Sequence, residues 1–147
     1  MVPKVFTLEE ANRLVPALEK AFASVYDLRE QLGMVEKDLR NLQDIWGRQL
    51  LDPANPDHAQ YIALVERKKQ AIAQLGLAIR SITNHGCMLK DLQRGLVDFY
   101  HERDGDMVFL CWRYGEKQIS NWHTLNSGLR ERRPIAELEI IKEAGRG

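Results

Sequence analysis

Apolar positions in the first third of the chain recur at intervals of three, four and seven residues. This spacing places them along one side of an α-helix, since about 3.6 residues make one turn. Thr7 and Glu10 form a capping box that starts the helix, and Pro16 inside it predicts a kink. Gly33 is tolerable in a helix interior. The pattern predicts a long helix, or two nearly collinear ones, ending near Leu50, with a stripe formed by Leu8, Ala11, Val15, Leu18, Phe22, Val25, Leu32, Val35, Leu39, Leu42, Ile45 or Trp46, and Leu50.

A second apolar stripe follows a turn rich in proline and Asx residues between Asp52 and Asp57. Gly86 suits the left-handed position that ends many helices, so the second helix is expected to stop there. Two amphipathic helices joined by a short turn predict an antiparallel, coiled-coil-like helical hairpin over residues 7–85. The stripe of the second helix is predicted to contain Ile62, Val65, Ile72, Leu75, Ile79 and Ile82.

The apolar period changes after Gly86. Residues 96–101 and 107–112 are predicted strands, and Asp104-Gly105 between them is a strong hairpin signal. Residues 117–125 form a third predicted strand, and residues 87–89 could add a short strand before the other three. The sequence therefore predicts an α+β fold, with the hairpin packed on a small antiparallel three-stranded sheet (residues 86–128) and followed by a C-terminal extension (129–147). We expect one domain over residues 1–147.

Charge and cysteine usage narrow the class of protein. Lysine plus arginine equals aspartate plus glutamate, 21 each, which disfavours a dedicated nucleic-acid binder. The longest apolar run, from Met107 to Trp112, is too short to cross a membrane. Two cysteines without a CxxC pair, and a start without a signal-peptide core, favour reduced thiols in a cytoplasmic protein.

Several short motifs resemble a prokaryotic family known as domain of unknown function 2203. The likeness covers nearly the whole chain up to Ile135 and is densest between His85 and His123. The resemblance implies relatives but no assigned activity, substrate or catalytic residue. The residues that carry it are Phe6–Asn12, Gly95–Phe99, Leu110–Arg113, Gly115–Glu116, Trp122–His123 and Arg132–Ile135.

The segment from His85 to His123 is also where metal ligands concentrate, since it holds both cysteines and three of the four histidines. Zinc or iron binds nitrogen, sulfur and oxygen ligands when three or four converge. No two of these candidate ligands have the CxxC or HExxH spacing typical of metal sites. The alternative to a metal site is that both cysteines are buried structural thiols and that His85 caps a helix. The candidate metal ligands are His85, Cys87, Cys111 and His123, with Asp91, Asp98 and Glu116 as further oxygen donors.

Glu116 and His123 are candidate catalytic residues, because a histidine near a carboxylate can exchange protons close to neutral pH. The alternative is that Glu116 caps a turn and His123 packs beside Trp122. The sequence contains neither a nucleophile elbow nor a glycine-rich phosphate loop that would specify a reaction.

Arg130, Arg132 and Arg133 precede Pro134 and are candidate anion-binding residues. Together with nearby aromatic residues they could form a surface that stacks bases and binds phosphates. Solvated arginines and an aromatic core are the alternative, and the neutral net charge favours it.

The helical hairpin supports the leading hypothesis, a protein that self-associates as a dimer or assembles with a protein partner. Helices of this length would project beyond a three-stranded sheet and leave apolar surface to bury. In this interpretation the segment from His85 to His123 forms either a rigid aromatic core or a ligand pocket. A metal-binding protein or a small metal-dependent enzyme is the second hypothesis, and nucleic-acid binding is the third.

Overall fold

The computed structural model describes residues 4–136. That range contains two α-helices, two short 3-10 helices (Gly47–Leu51 and Leu129–Glu131) and five β-strands. The described residues divide into two compact units, one formed by residues 4–22 with 81–136 and the other by Ala23–Arg80. The helices and strands are α1 (Leu8–Trp46), α2 (His58–Thr83), β1 (Met88–Asp91), β2 (Leu96–Arg103), β3 (Asp106–Arg113), β4 (Asn121–Thr124) and β5 (Arg133–Pro134).

The capping box predicted for α1 is present. The Thr7 amide donates to Glu10 Oε1 at 3.0 Å, and the Glu10 amide donates to Thr7 Oγ1 at 3.1 Å. The helix then continues through Pro16 and Gly33 to Trp46 as one element. Burial of its apolar stripe supports it across both positions, because packing contributes more to helix stability than intrinsic propensity does. Neither α1 nor α2 has a stretch long and apolar enough to cross a membrane.

The unit formed by Ala23–Arg80 has its own hydrophobic cluster. Trp46 Nε1 donates to Asp57 Oδ2 at 2.8 Å across the connection that contains the 3-10 helix. Lys68 Nζ lies 3.9 Å from Glu36 Oε1. The cluster contains Val35, Leu39, Leu42, Leu50 and Leu64, with Trp46, Tyr61 and Val65 partly buried against it.

The predicted stripe of α2 is wrong at two positions. Ile62 and Ile72 are about half exposed, at 50% and 51%, whereas Leu64 and Ala71 are buried. Leu64 lies about 200° around the helix from Ile62, because each residue turns the helix by about 100°. The buried side of α2 in this unit therefore follows Leu64 and Ala71, and three large apolar side chains of this helix, Ile62, Ile72 and Leu77, are at least half exposed.

The sheet is antiparallel with five strands in the order β1-β2-β3-β4-β5, so the prediction of three strands is wrong. β1 pairs with β2, and the two-residue β5 pairs with β4 in the segment expected to be an extension. Strands as short as β1 and β5 contain too few residues for a recognisable alternation of apolar and polar positions. Pro134 makes β5 harder still to predict, because proline is unfavourable in strands. The β2–β3 turn is as predicted, with positive φ at Asp104 (49°) and Gly105 (86°).

The third predicted strand is shorter than expected. Residues 117–120 lie outside the sheet, and β4 contains only Asn121–Thr124. The Ile119 amide donates to Asn12 Oδ1 at 2.7 Å instead of to a neighbouring strand. The Asn12 side chain of α1 therefore accepts the hydrogen bond that the Ile119 amide would donate to a neighbouring strand if β4 were longer.

One face of the sheet forms the core of the unit that contains it. The Phe6 ring meets Phe99 edge-on at 5.0 Å, and the Phe22 ring lies 5.7 Å from Trp112. The N-terminal part of α1 and the segment before it thus supply aromatic partners for this face. Its deeply buried residues are Val97, Phe99, Leu110, Trp112 and Trp122.

Candidate metal centre

Three adjacent strands place three potential metal ligands on the other face of the sheet. Asp98 of β2 lies opposite Cys111 of β3, and His123 of β4 lies opposite Phe109 of β3. Phe109 and Cys111 are two positions apart, so their side chains point to the same face. Asp98, Cys111 and His123 therefore project from one face, opposite to the aromatic core.

The ligand atoms of these three residues converge. A carboxylate oxygen of Asp98, Cys111 Sγ and a ring nitrogen of His123 all lie within 4.8 Å of one another. His123 Nε2 and Asp98 Oδ2 are 3.1 Å apart, and no residue of the three is more than 4% exposed. Nitrogen and oxygen ligands of a tetrahedral zinc ion are about 3.3 Å apart. The separation of Nε2 and Oδ2 is therefore close to that of two ligands on one zinc ion.

Both ring nitrogens of His123 have a partner. Nδ1 lies 2.8 Å from the Thr124 carbonyl oxygen, which can only accept, so Nδ1 carries a hydrogen. The hydrogen bond to Asp98, followed by that to Cys111, raises the pKa of His123 to about 10, although burial acts in the opposite direction. Without a metal, His123 and Asp98 thus form an imidazolium–carboxylate pair. Donation from the non-ligating nitrogen to a carbonyl is the contact that orients metal-binding histidines.

A cavity of about 150 Å³ is lined by the three ligand residues and by neighbouring side chains. The Phe109 ring lies 5.3 Å from the His123 ring, and Lys90 Nζ lies 4.8 Å from the centre of the Phe109 ring. The three ligand residues are therefore buried and line a space large enough for a small molecule. Besides the three ligands, the cavity is lined by Lys90, Leu96, Phe109, Leu125, Ser127 and Gly128.

The other two metal candidates lie apart from this group. Cys87 Sγ donates to the Ile82 carbonyl oxygen at 3.2 Å, and burial raises the pKa of its thiol to about 11. His85 follows the last residue of α2, Thr83, by two positions. Among residues 4–136, neither His85 nor Cys87 belongs to a convergent ligand group. The structure thus brings two of the four candidate ligands, Cys111 and His123, together with Asp98, one of the further oxygen donors named from the sequence.

The predicted acid/base pair of Glu116 and His123 is not formed in the described part of the chain. Glu116 Oε1 accepts from Arg132 Nη2 at 2.8 Å and from the Arg113 amide at 2.6 Å. Glu116 therefore closes the turn after β3, while the partner of His123 is Asp98.

The three arginines considered for anion binding have different environments. Arg132 forms the ion pair with Glu116 and is largely buried. The Arg133 guanidinium lies 5.6 Å from the centre of the Trp122 ring, and Arg130 is exposed. Because the sheet engages two of them, the structure does not present the three charges as one free cluster.

Comparison with known proteins identifies the family to which the chain belongs. The family model described as "Uncharacterized conserved protein (DUF2203)" matches residues 4–135, and the chain belongs to this family. The resemblance seen in the sequence motifs is thereby confirmed, and the matched range includes Asp98, Cys111 and His123. No curated protein and no solved structure matches the chain.

Proposed function

We propose that this member of the DUF2203 family is a metal-binding protein whose ion is held by Asp98, Cys111 and His123. The observation that carries the proposal is the convergence of three buried ligand atoms within 4.8 Å. Burial of a carboxylate and an imidazole is costly unless they are paired, and Asp98 and His123 pair with each other here. A cation at the centre of the group would contact all three.

The ligand types favour zinc, with iron as the alternative. Thiolate and imidazole are ligands for zinc and iron, whereas magnesium and calcium prefer oxygen alone. Zinc also accepts a tetrahedral set with three protein ligands, one each of sulfur, nitrogen and oxygen here. This supports the zinc or iron expected from the sequence, with Asp98 in place of His85 and Cys87.

The test is metal content and affinity, measured on untagged protein purified without chelator. We expect one zinc or iron per chain by elemental analysis, and stoichiometric zinc uptake by the metal-free protein. Asp98→Asn, Cys111→Ala and His123→Ala should each weaken zinc binding by about 100-fold or more, because loss of an outer-shell partner alone costs about 10- to 100-fold. Cys87→Ala and His85→Ala are the matched controls and should bind zinc like the wild type.

Two results would overturn the proposal. One is a folded wild-type protein that takes up neither zinc nor iron. The other is an equal loss of zinc affinity in the control variants. Near-ultraviolet circular dichroism should accompany each measurement, because the buried Trp112 and Trp122 report on whether a variant retains its packing.

Self-association is a second candidate function, and a separate observation favours it. The unit Ala23–Arg80 exposes large apolar side chains, and Met34 and Ile45 lie about three turns apart on the same side of α1. We infer that these helices form an antiparallel hairpin whose outer surface meets a second copy of the chain. The contacts between Glu36 and Lys68 support the hairpin. The exposed residues are Met34, Ile45, Leu51, Ile62, Ile72 and Leu77.

Light scattering coupled to size exclusion tests the association. We expect a dimeric mass at micromolar concentration, and a monomeric mass for the double variant Met34→Gln/Ile45→Gln. Val5→Thr is the control, since Val5 is exposed but lies in the other unit. A wild type that remains monomeric at that concentration would contradict self-association without affecting the metal proposal.

We also propose that the protein is cytoplasmic. Cys87 and Cys111 are both buried free thiols, which supports a reducing environment. Fractionation of cells that express the untagged chain tests this. Recovery with secreted proteins would contradict it.

A further inference from the structure

The number of ligands in the candidate metal centre leaves one coordination position free. Structural zinc sites have four protein ligands, whereas sites that bind or activate a small molecule have three and an open position. Within residues 4–136 the group supplies three ligands, Asp98, Cys111 and His123. All three also line the cavity of about 150 Å³. The fourth position therefore borders this cavity, and its occupant is limited to a small molecule.

An irregularity in β1 brings a cation to the same cavity. Leu89 pairs with Val97 and Asp91 pairs with Leu96, which leaves Lys90 as the extra residue of a β-bulge. Bulges redirect side chains and are frequent next to functional sites. Lys90 lines the cavity, with Nζ over the ring of Phe109, the residue paired with His123.

The charges around the cavity determine which ligand would fit. A divalent metal bound to the Asp98 carboxylate and the Cys111 thiolate has no net charge. His123 is neutral as a ligand, so Lys90 leaves one positive charge. The other lining residues are uncharged: Leu96, Phe109, Leu125, Ser127 and Gly128.

From this arrangement we infer that the open position of the metal binds a small monoanionic carboxylate, with Lys90 as its second contact. The inference rests on the proposed metal site. One carboxylate oxygen would bind the metal and the other would accept from the Lys90 ammonium. A single negative charge balances the single positive charge of the metal and Lys90, whereas a dianionic phosphate would leave one negative charge unbalanced.

Cobalt substitution provides the experiment, because the visible absorption of Co²⁺ changes when a ligand enters its coordination sphere. Acetate is the probe. We expect a saturable spectral change on titration of the cobalt protein with acetate. Lys90→Met should weaken acetate binding about tenfold or more, since a hydrogen bond to a charged group is lost. Lys90→Met should leave cobalt affinity unchanged, and the exposed Lys117→Met should leave both unchanged.

The possible results separate this inference from the metal proposal. If cobalt binds and acetate leaves its spectrum unchanged, the inference is wrong and the metal site stands. If Lys90→Met binds acetate as well as the wild type, the role of Lys90 is wrong. Tighter binding of inorganic phosphate than of acetate would contradict the carboxylate class. Failure of the folded protein to bind any metal would overturn both proposals.

Discussion

His123 Nε2 lies 3.1 Å from Asp98 Oδ2, and these two side chains are only 5% and 4% exposed. A buried pair of opposite charges contributes little net stability compared with apolar packing, but removal of one partner leaves the other charge uncompensated. The metal-free sheet therefore depends on the pair remaining intact. A bound metal would replace the Nε2 proton and turn the same two side chains into ligands, which links the stability of this sheet to metal occupancy.

The first prediction concerns Asp98→Asn in metal-free protein. The substitution keeps the shape of the side chain but removes its charge, and we expect a loss of about 3 kcal/mol in the free energy of unfolding. Asp91→Asn is the matched control and should cost less than about 1 kcal/mol, since Asp91 pairs with Arg94 at the surface. Urea denaturation with chelator present measures both. Equal losses would show that the buried pair has no special role.

The second prediction is a pH dependence of the same free energy. The pKa of His123 is raised from 6.5 to about 10 in the folded protein. The stabilisation is therefore fully present below about pH 6.5 and is lost as the pH rises towards about 10, because the unfolded chain releases the proton first. The stability of metal-free wild type should fall across this window, by up to about 1.4 kcal/mol per pH unit. Asp98→Asn should flatten this fall, and a wild-type curve without slope between pH 7 and 9 would contradict the ion pair.

The third prediction is proton release on metal binding. Because the imidazolium must lose its Nε2 proton and Cys111 must bind as a thiolate, zinc uptake near pH 7.5 should release more than one and up to two protons per ion. Calorimetry in buffers of different ionisation enthalpy measures this number directly. Zinc affinity should correspondingly rise by about tenfold to a hundredfold for each pH unit between 6.5 and 8.5, for the release of one or two protons. Uptake without proton release would indicate that the metal binds elsewhere.

Part of this site follows from the sequence by counting outward from a turn. Asp104-Gly105 is a two-residue hairpin signal, and such a turn fixes the register of the strands on either side. Counting back from Asp104 and forward from Gly105 places Asp98 opposite Cys111, as the structure has them. The sequence pattern alone could therefore have paired these two residues.

The position of His123 could not be deduced in the same way. The connection between β3 and β4 is long, and Ile119 leaves the sheet to bind the side chain of Asn12 in α1. This contact between distant parts of the sequence sets where β4 begins. The strand predicted over residues 117–125 therefore had the wrong start, and it gave no reliable partner for His123.

In the helices too, short-range sequence patterns predict the element, whereas packing between distant residues decides which side is buried. The capping box at Thr7 and Glu10 and the stripe of α1 were predicted from spacing alone. In α2, β-branched residues were assigned to the buried side because they are apolar, but Ile62 and Ile72 are half exposed. Apolar periodicity therefore identifies α2 as a helix, but it does not decide which of its two apolar sides is buried.

The fourth prediction distinguishes the two thiols. Burial raises the pKa of Cys87 to about 11, so its thiolate is scarce at pH 8. Cys111→Ala leaves Cys87 as the single cysteine. In that variant we expect reaction with a disulfide reagent at pH 8 to be at least about 100-fold slower than in urea, since only thiolates react. Rapid reaction of folded Cys111→Ala would show that Cys87 is accessible and would contradict its interpretation as a buried structural thiol.

The fifth prediction concerns the ion pair that joins Arg132 to the turn after β3. Arg132 Nη2 and Glu116 Oε1 are 2.8 Å apart, with side chains 15% and 25% exposed. Arg132 Nη2 also lies 3.4 Å from the Cys111 carbonyl oxygen, so Arg132 contacts the strand that carries a proposed ligand. Arg132→Gln should cost about 1–2 kcal/mol in the free energy of unfolding. Arg130→Gln is the matched control and should change it by less than about 0.5 kcal/mol, because Arg130 is exposed. Binding to single-stranded nucleic acid should be measured for the same two variants. If it falls equally in both and neither loses stability, Arg132 contacts phosphate and does not stabilise the sheet.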